Sequence, residues 1–136
     1  KILGGNKMLT DVMKEMIEKE LAYVSTVSND GIPNIGPKRS MRLLDEHTLI
    51  YNENTGKQTM KNLIDNGKVA VAYADWSKLD GYRFVGKAEV FTEGKYYDEA
   101  VEWAKGKMGA PKAAVVIHIE EIYTLRSGST AGDKIS

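Results

Sequence analysis

The chain has 136 residues, and its 19 Lys and Arg residues balance 19 Asp and Glu residues. This balance lacks the basic excess that is typical of general nucleic-acid-binding proteins. The absence of Cys excludes disulfides, thiolate metal sites and cysteine nucleophiles. The longest apolar run, residues 69–74, is far shorter than the roughly 20 residues of a transmembrane helix. We therefore expect a soluble, cytoplasmic protein.

The length of the chain predicts one domain with a substantial core, because chains of ~150 residues remove roughly two thirds of their surface from water on folding. We interpret residues 1–7 as a leader or a vector-derived remnant. Residues 8–136 contain no repeat or linker, and we interpret them as a single domain.

The first part of the chain predicts a helix followed by a β-hairpin. Apolar residues recur at helical spacing from Leu9 to Ile17, and Thr10 is a suitable N-cap. Two strand-like segments follow, residues 21–28 and 32–44, and the turn at residues 29–31 joins them. Because Pro33 and Pro37 interrupt the second segment, we expect an edge, bulged or ligand-facing strand.

The rest of the chain predicts four more strands and two helices. Residues 48–53 form a third strand, residues 68–76 are apolar on both faces and predict a central strand, and residues 81–92 and 112–125 are the last two. A short helix ends at Asn66 and Gly67, and a further helix is predicted around residues 97–108. The residues predicted on the packed faces of these two helices are Met60, Leu63, Ile64, Tyr97, Ala100, Val101, Ala104 and Met108. Six strands at hairpin spacing indicate a small, closed or partly closed antiparallel barrel.

A candidate anion site lies where the basic strand segment precedes "NTGKQTMKNLIDNG". A helix N-terminus presents unpaired N–H groups, so main chain, Lys57 and the Thr59 hydroxyl could hold an anion together. Arg39 could add fork-shaped recognition from the strand. The alternative is an ordinary hairpin and helix with solvated charges. A nucleotide-binding P-loop is excluded, because Tyr51 replaces its first Gly and Gln58 its Ser or Thr.

Four segments follow one another along the chain, namely "GIPNIGPKRSM", "LIYNENTGKQTMKNLIDNGKVAVAYAD", "GYRFVGKAEV" and "PKAAVVIHIEEIYTL". In this order they resemble the FMN-binding split barrel of the pyridoxamine 5′-phosphate oxidase-like superfamily, and the resemblance covers about residues 9–125. The similarity is closest to short, single-domain FMN-binding members. It implies a mainly β fold with short helices, namely a six-stranded antiparallel split β-barrel of Greek-key type.

The resemblance also implies the position of a cofactor, because family members hold FMN at a homodimer interface. The phosphate would lie near Gly56, Lys57, Gln58 and Thr59. The ring and ribityl chain would lie near Pro37, Lys38, Arg39 and Ser40, with Asn52 and Glu53 along the wall. The second subunit would cover the flavin with Trp103, the turn at residues 110–112 and the chain from Leu125 onward.

The implied function is that of a flavin-dependent oxidoreductase or electron carrier with an unidentified small-molecule or protein redox partner. No catalytic side chain and no metal site are expected. Oxidation of pyridoxamine phosphate is not expected, because the arginine and tryptophan contacts of the full oxidase's C-terminal region have no counterpart. The alternatives are the same fold binding F420 or haem, and a non-enzymatic small barrel that binds another ligand or nucleic acid.

The tail at residues 126–136 has a composition that favours disorder.

Overall fold

The computed structural model describes residues 9–136, so the leader predicted at residues 1–7 lies outside the described residues. The described part contains three α-helices and seven β-strands. The helices are α1 (Asp11–Lys19), α2 (Gln58–Asn66) and α3 (Lys95–Ala104). The strands are β1 (Ala22–Val27), β2 (Pro33–Lys38), β3 (Arg42–Asp45), β4 (Thr48–Glu53), β5 (Lys68–Asp75), β6 (Asp80–Phe91) and β7 (Ala113–Thr124).

All seven strands form one antiparallel sheet in the order β2-β1-β5-β6-β7-β4-β3. The sheet curves around a single main core, since Val24 of β1 and Leu49 of β4 belong to the same buried cluster although their strands lie near opposite ends of the sheet. The predicted mainly β, antiparallel barrel fold is confirmed. Within residues 9–136, no helix has both the length and the apolar content needed to cross a bilayer.

The described sheet has seven strands instead of the predicted six because the segment at residues 32–44 breaks in two. β2 ends at Lys38 and pairs with β1, whereas β3 begins at Arg42 and pairs with β4 at the other end of the sheet. The Ser40 hydroxyl fixes this break, accepting a hydrogen bond from the Asn52 N–H at 2.8 Å. β2 is an edge strand, as its two prolines predicted.

The limits of α1 and the end of α2 agree with the prediction, whereas the packed faces of α2 and α3 are narrower than predicted. The Thr10 hydroxyl accepts a hydrogen bond from the Met13 N–H, which confirms the predicted N-cap of α1. In α2, Ile64 is 61% exposed, so its predicted place on the packed face is wrong. Asn62 is buried beside Leu63 and bonds to Thr26, which turns Ile64 away from the sheet. Met108 lies beyond the end of α3 and is exposed.

The C-terminal tail is ordered along β7, in contrast to the disorder that its composition favours. β4 pairs only with the first half of β7. Along the second half, the Thr124 N–H donates to the carbonyl of Asp133 at 2.9 Å, and the Ile135 N–H donates to the carbonyl of Ile122 at 2.8 Å. The tail therefore supplies the hydrogen-bonding partners that this half of β7 would otherwise lack.

Candidate functional site

A cleft of about 320 Å³ lies between the edge strand β2, the end of β4 and the start of α2. It brings together six of the predicted site residues, Pro37, Lys38, Glu53, Lys57, Gln58 and Thr59. The rest of its lining is Asn34, Ile35, Gly36 and Thr55. The strand residues and the helix start, which are distant in sequence, thus face one cavity.

The start of α2 is open toward an anion. No side chain caps this end of the helix, and its first turn contains no acidic residue. The first-turn N–H groups therefore keep their binding capacity and the partial positive charge of the helix end. Gly56, at φ +67°, precedes the N-cap Lys57 in the left-handed conformation that favours glycine.

The turn that leads into α2 is organised around Glu53, whose side chain is completely buried. One carboxylate oxygen accepts hydrogen bonds from the N–H groups of Thr55 (3.1 Å) and Gly56 (2.9 Å). The other accepts from the Tyr51 hydroxyl at 3.3 Å, and Lys38 Nζ lies 3.1 Å from both oxygens. Burial and the neighbouring carboxylate raise the pKa of Tyr51 well above its usual range. The phenol therefore stays protonated and donates a hydrogen bond to Glu53.

Among the described residues, the cations at this end of the molecule differ in whether they have a partner. Lys38 is largely buried against the Glu53 carboxylate, so its charge is compensated inside the protein. Arg39 and Lys57 are exposed, and neither side chain has a hydrogen-bonding or ionic partner within residues 9–136. Lys57 lines the cleft, and Arg39 follows the last residue of β2.

A network of uncharged side chains supports the inner wall of the cleft. Asn34 donates a hydrogen bond to the Thr59 hydroxyl at 2.9 Å, and Asn62 donates to Thr26 at 3.0 Å. Gln58 donates to Asn62 at 2.7 Å. Asn34 was not among the predicted site residues, although its polar side chain within a largely apolar strand segment was a usable signal.

Ser40 and Asn52 do not face the cleft, although the resemblance implied a cofactor-binding role for both. Both are buried, and the Asn52 side chain donates to the Ala100 carbonyl and accepts from Arg42. They join β3, β4 and α3 and so support the fold. Arg39 and Gly56 likewise do not line the cleft, although both adjoin residues that do.

The segments expected to cover a partner's flavin contact their own chain. The cationic groups of Arg42 and Lys107 lie 4.2 and 4.3 Å from the ring centre of Trp103. Lys112 donates from its backbone to the Glu53 carbonyl and from Nζ to the Thr55 carbonyl, so the turn at residues 110–112 braces the loop before α2. Their contact with a second subunit stays a prediction.

The two histidines and the acidic residues form no evident metal site. His118 lies 2.8 Å from Glu89 on the surface of β6 and β7. In the part of the chain from residue 9 to residue 136, no group of three or more His, Cys, Asp or Glu side chains could hold a metal ion.

Comparison with known proteins identifies relatives along nearly the whole chain. HupZ of Group A Streptococcus is 57% identical, with a TM-score of 0.86 over 92% of this chain and 100% of that structure. An uncharacterized protein of Methanocaldococcus jannaschii is 37% identical over 100% of this chain and 95% of its own length. A putative pyridoxamine 5′-phosphate oxidase from Lactobacillus delbrueckii is 32% identical, with a TM-score of 0.76 over 85% and 93% of the two chains.

More distant structures share the fold at 19% identity. They include an FMN-binding protein from Syntrophomonas wolfei, with a TM-score of 0.73 over 85% of each chain, and an F420 reductase, with a TM-score of 0.60 over 82% and 94%. The sequence profile of the pyridoxamine 5′-phosphate oxidase family matches residues 9–126. With a match across almost all of its length, the chain belongs to the pyridoxamine 5′-phosphate oxidase family.

Proposed function

We propose that this protein binds FMN and acts as a flavin-dependent oxidoreductase or electron carrier. The observation that carries the proposal is the start of α2, which opens into the cleft of about 320 Å³ in a member of this family. Among residues 9–136, no side chain caps this helix end, and Lys57 beside it has no hydrogen-bonding or ionic partner. Free backbone N–H groups, a lysine and a hydroxyl are a donor set that suits a phosphate monoester.

The residues present fit each part of the cofactor. Lys57, Gln58 and Thr59 would bind the phosphate at the helix start. Pro37 and Ile35 of β2 offer apolar surface for the ring, and Arg39 is the free cation next to them. Lys38, which the resemblance placed beside the ring, is the weaker candidate for an anion contact because Glu53 already compensates its charge.

FMN supplies the redox chemistry in such proteins, and the polypeptide supplies binding, orientation and electrostatics. The role of this chain would then be to fix the phosphate with α2 and Lys57 and to hold the ring along β2. The donor, the acceptor and a cytoplasmic location stay predictions.

A homodimer is part of the proposal, because the outer face of the sheet exposes an apolar patch next to the charged side chains of Lys68 and Lys87. Tyr23 and Ile35 are 46% and 68% exposed there. Cross-strand pairing places Ser25, Ala70 and Val85 on the same face, where a cleft of about 430 Å³ opens. A second subunit on this face would bury exposed apolar surface beside β2, which lines the cofactor cleft.

The first test is a titration of the purified protein with FMN, in which quenching of the flavin fluorescence reports binding. We expect Lys57→Ala and Arg39→Ala each to weaken binding about tenfold, since a hydrogen bond to a charged group contributes about 1.5–3 kcal/mol. Lys61→Ala is the matched control, because Lys61 lies on the same helix but pairs with Asp65. The FMN affinity of Lys61→Ala should stay within about twofold of the wild-type affinity, because a surface ion pair contributes little.

Parallel titrations with F420, haem and a single-stranded oligonucleotide separate the alternatives. Binding of F420 or haem without FMN would replace the proposed cofactor but keep the fold. Oligonucleotide binding that weakens steeply with salt would indicate a non-enzymatic binding module instead. Full FMN affinity in both Lys57→Ala and Arg39→Ala would overturn the proposed site.

A further inference from the structure

We propose that Asn34 is a positioning residue that makes Thr59 a hydrogen-bond donor toward the phosphate group of the cofactor. The inference rests on the proposed FMN site and extends it to a residue outside the loop and helix that carry the phosphate-binding groups. It predicts that Asn34 sets the preference of the protein for a phosphorylated flavin over riboflavin.

The two side chains meet across the gap between β2 and α2. The Asn34 amide nitrogen lies 2.9 Å from the Thr59 hydroxyl oxygen, and both residues line the cleft. Because the amide group donates, the threonine oxygen accepts and keeps its own proton available. Within residues 9–136, no group accepts a hydrogen bond from that hydroxyl. The proton is therefore available to an acceptor in the cleft.

Asn34 is held in place by the strand beside it. It is the direct cross-strand partner of Thr26, and its amide nitrogen lies 3.4 Å from the Thr26 hydroxyl. Thr26 is buried and also accepts a hydrogen bond from Asn62 of α2. The amide is thus fixed between one threonine in the sheet and another at the helix start, which pre-organises Thr59 before a ligand binds.

The chemistry of FMN and riboflavin predicts which of the two ligands depends on the oriented Thr59 hydroxyl. A phosphate monoester accepts hydrogen bonds from several donors, whereas riboflavin carries a neutral hydroxyl at the same end. Loss of an oriented donor should therefore weaken FMN binding and leave riboflavin binding nearly unchanged. A purely structural contribution of Asn34 would weaken both ligands together.

The experiment measures the dissociation constants of FMN and riboflavin for the wild type, Asn34→Ala, Asn34→Asp and Thr59→Val. We expect Asn34→Ala and Thr59→Val to lower the FMN preference roughly tenfold. Asn34→Asp should lower it further, on the order of a hundredfold, because a carboxylate accepts the Thr59 proton and adds negative charge beside the phosphate. Riboflavin affinity should change by about twofold or less in all three.

Asn66→Ala is the matched structural control. Asn66 also joins α2 to the β1 end of the sheet, since it donates to the Val27 carbonyl at 2.7 Å, but it does not line the cleft. It should lower the melting temperature without changing the ratio of FMN to riboflavin affinity. Because Thr59→Val keeps the Asn34–Thr26 contact, it also tests the inference if the Asn34 variants fold poorly.

The outcomes separate the inference from the proposed function. A wild-type protein that does not bind FMN overturns both. A wild-type protein that binds FMN, with an unchanged preference for FMN in Asn34→Asp and Thr59→Val, overturns the role of Asn34 and leaves the proposed function standing.

Discussion

At the scale of single residues, the ion pair of Lys38 and Glu53 explains why a basic strand segment supplies fewer free cations than its sequence indicates. Glu53 is fully buried and accepts hydrogen bonds from four groups. A carboxylate of this kind is tolerated in the interior because its partners replace water. It holds Lys38 and shapes the turn before α2 at the same time.

This arrangement predicts that Lys38→Met lowers the free energy of unfolding by about 3 kcal/mol, because it leaves a buried carboxylate without its cation. Adding Glu53→Gln should recover part of the loss. The amide oxygen of the new side chain can accept from the N–H groups of Thr55 and Gly56, and its NH₂ group can donate to the Tyr51 hydroxyl. Denaturant unfolding of the two single variants and the double variant measures the coupling.

The informative control is Lys19→Met, which removes a lysine from an exposed ion pair with Glu15 on α1. Exposed pairs of this kind contribute little to stability, so the free energy of unfolding should barely change. A double variant that is less stable than Lys38→Met alone would show that the turn requires a charged carboxylate and would contradict this account.

The sequence predicted the neighbourhood of these residues but not their pairing. Local patterns identified the strand segment and the helix start at residues 56–59, and the cleft does bring six of the ten predicted residues together. The contact of Lys38 with Glu53 depends on how the curved sheet brings β2 and β4 near one another, which no local pattern encodes. The inward placement of Ser40 and Asn52 likewise depends on contacts between residues far apart in the sequence.

At the scale of elements, the bulge between β6 and β7 is the feature that the strand patterns did not predict. The register shifts between Val85 and Gly86, so that Glu120 is an extra residue on β7. At Gly86 a Cβ atom would lie 1.9 Å from the carbonyl oxygen of His118, which is part of the backbone and cannot move aside like a side chain. Alternating hydrophobicity predicts a strand, whereas a bulge follows from the fit between two strands.

We therefore expect Gly86→Ala to lower the free energy of unfolding by about 3 kcal/mol, since the added methyl group must force the two strands apart. Thermal unfolding followed by circular dichroism measures the change. Gly109→Ala is the control, because its Cβ would meet nothing within 4 Å and its φ is not positive. Equal stability of the two variants would argue against the close backbone approach at Gly86.

For the molecule as a whole, the open question is why β5 carries apolar side chains on both of its faces. Val69, Val71 and Tyr73 point into the core, whereas Ala70 and Ala72 on the opposite face are partly exposed. The sequence predicted a strand buried on both faces, but one chain buries only one of them. A second copy on the outer face would resolve this difference, which makes oligomeric state the deciding observation.

We predict that Ala70→Arg converts the proposed dimer to a monomer. Ala70 lies between Ser25 and Val85 on the outer face, so an arginine there would place a long, charged side chain against apolar surface of the second subunit. Sedimentation velocity should give a dimer for the wild type and a monomer for the variant. FMN affinity should fall with the loss of the dimer, because in the proposed arrangement the partner covers the cofactor.

Val12→Arg is the matched control, since Val12 is 55% exposed but lies on α1 and outside this face. It should stay dimeric and bind FMN normally. A dimeric Ala70→Arg would place the interface elsewhere, and a monomeric wild type that binds FMN would remove the dimer from the proposal. A monomeric Ala70→Arg that keeps full FMN affinity would show that one chain suffices for the site, so that the cleft beside α2 holds the cofactor without a partner.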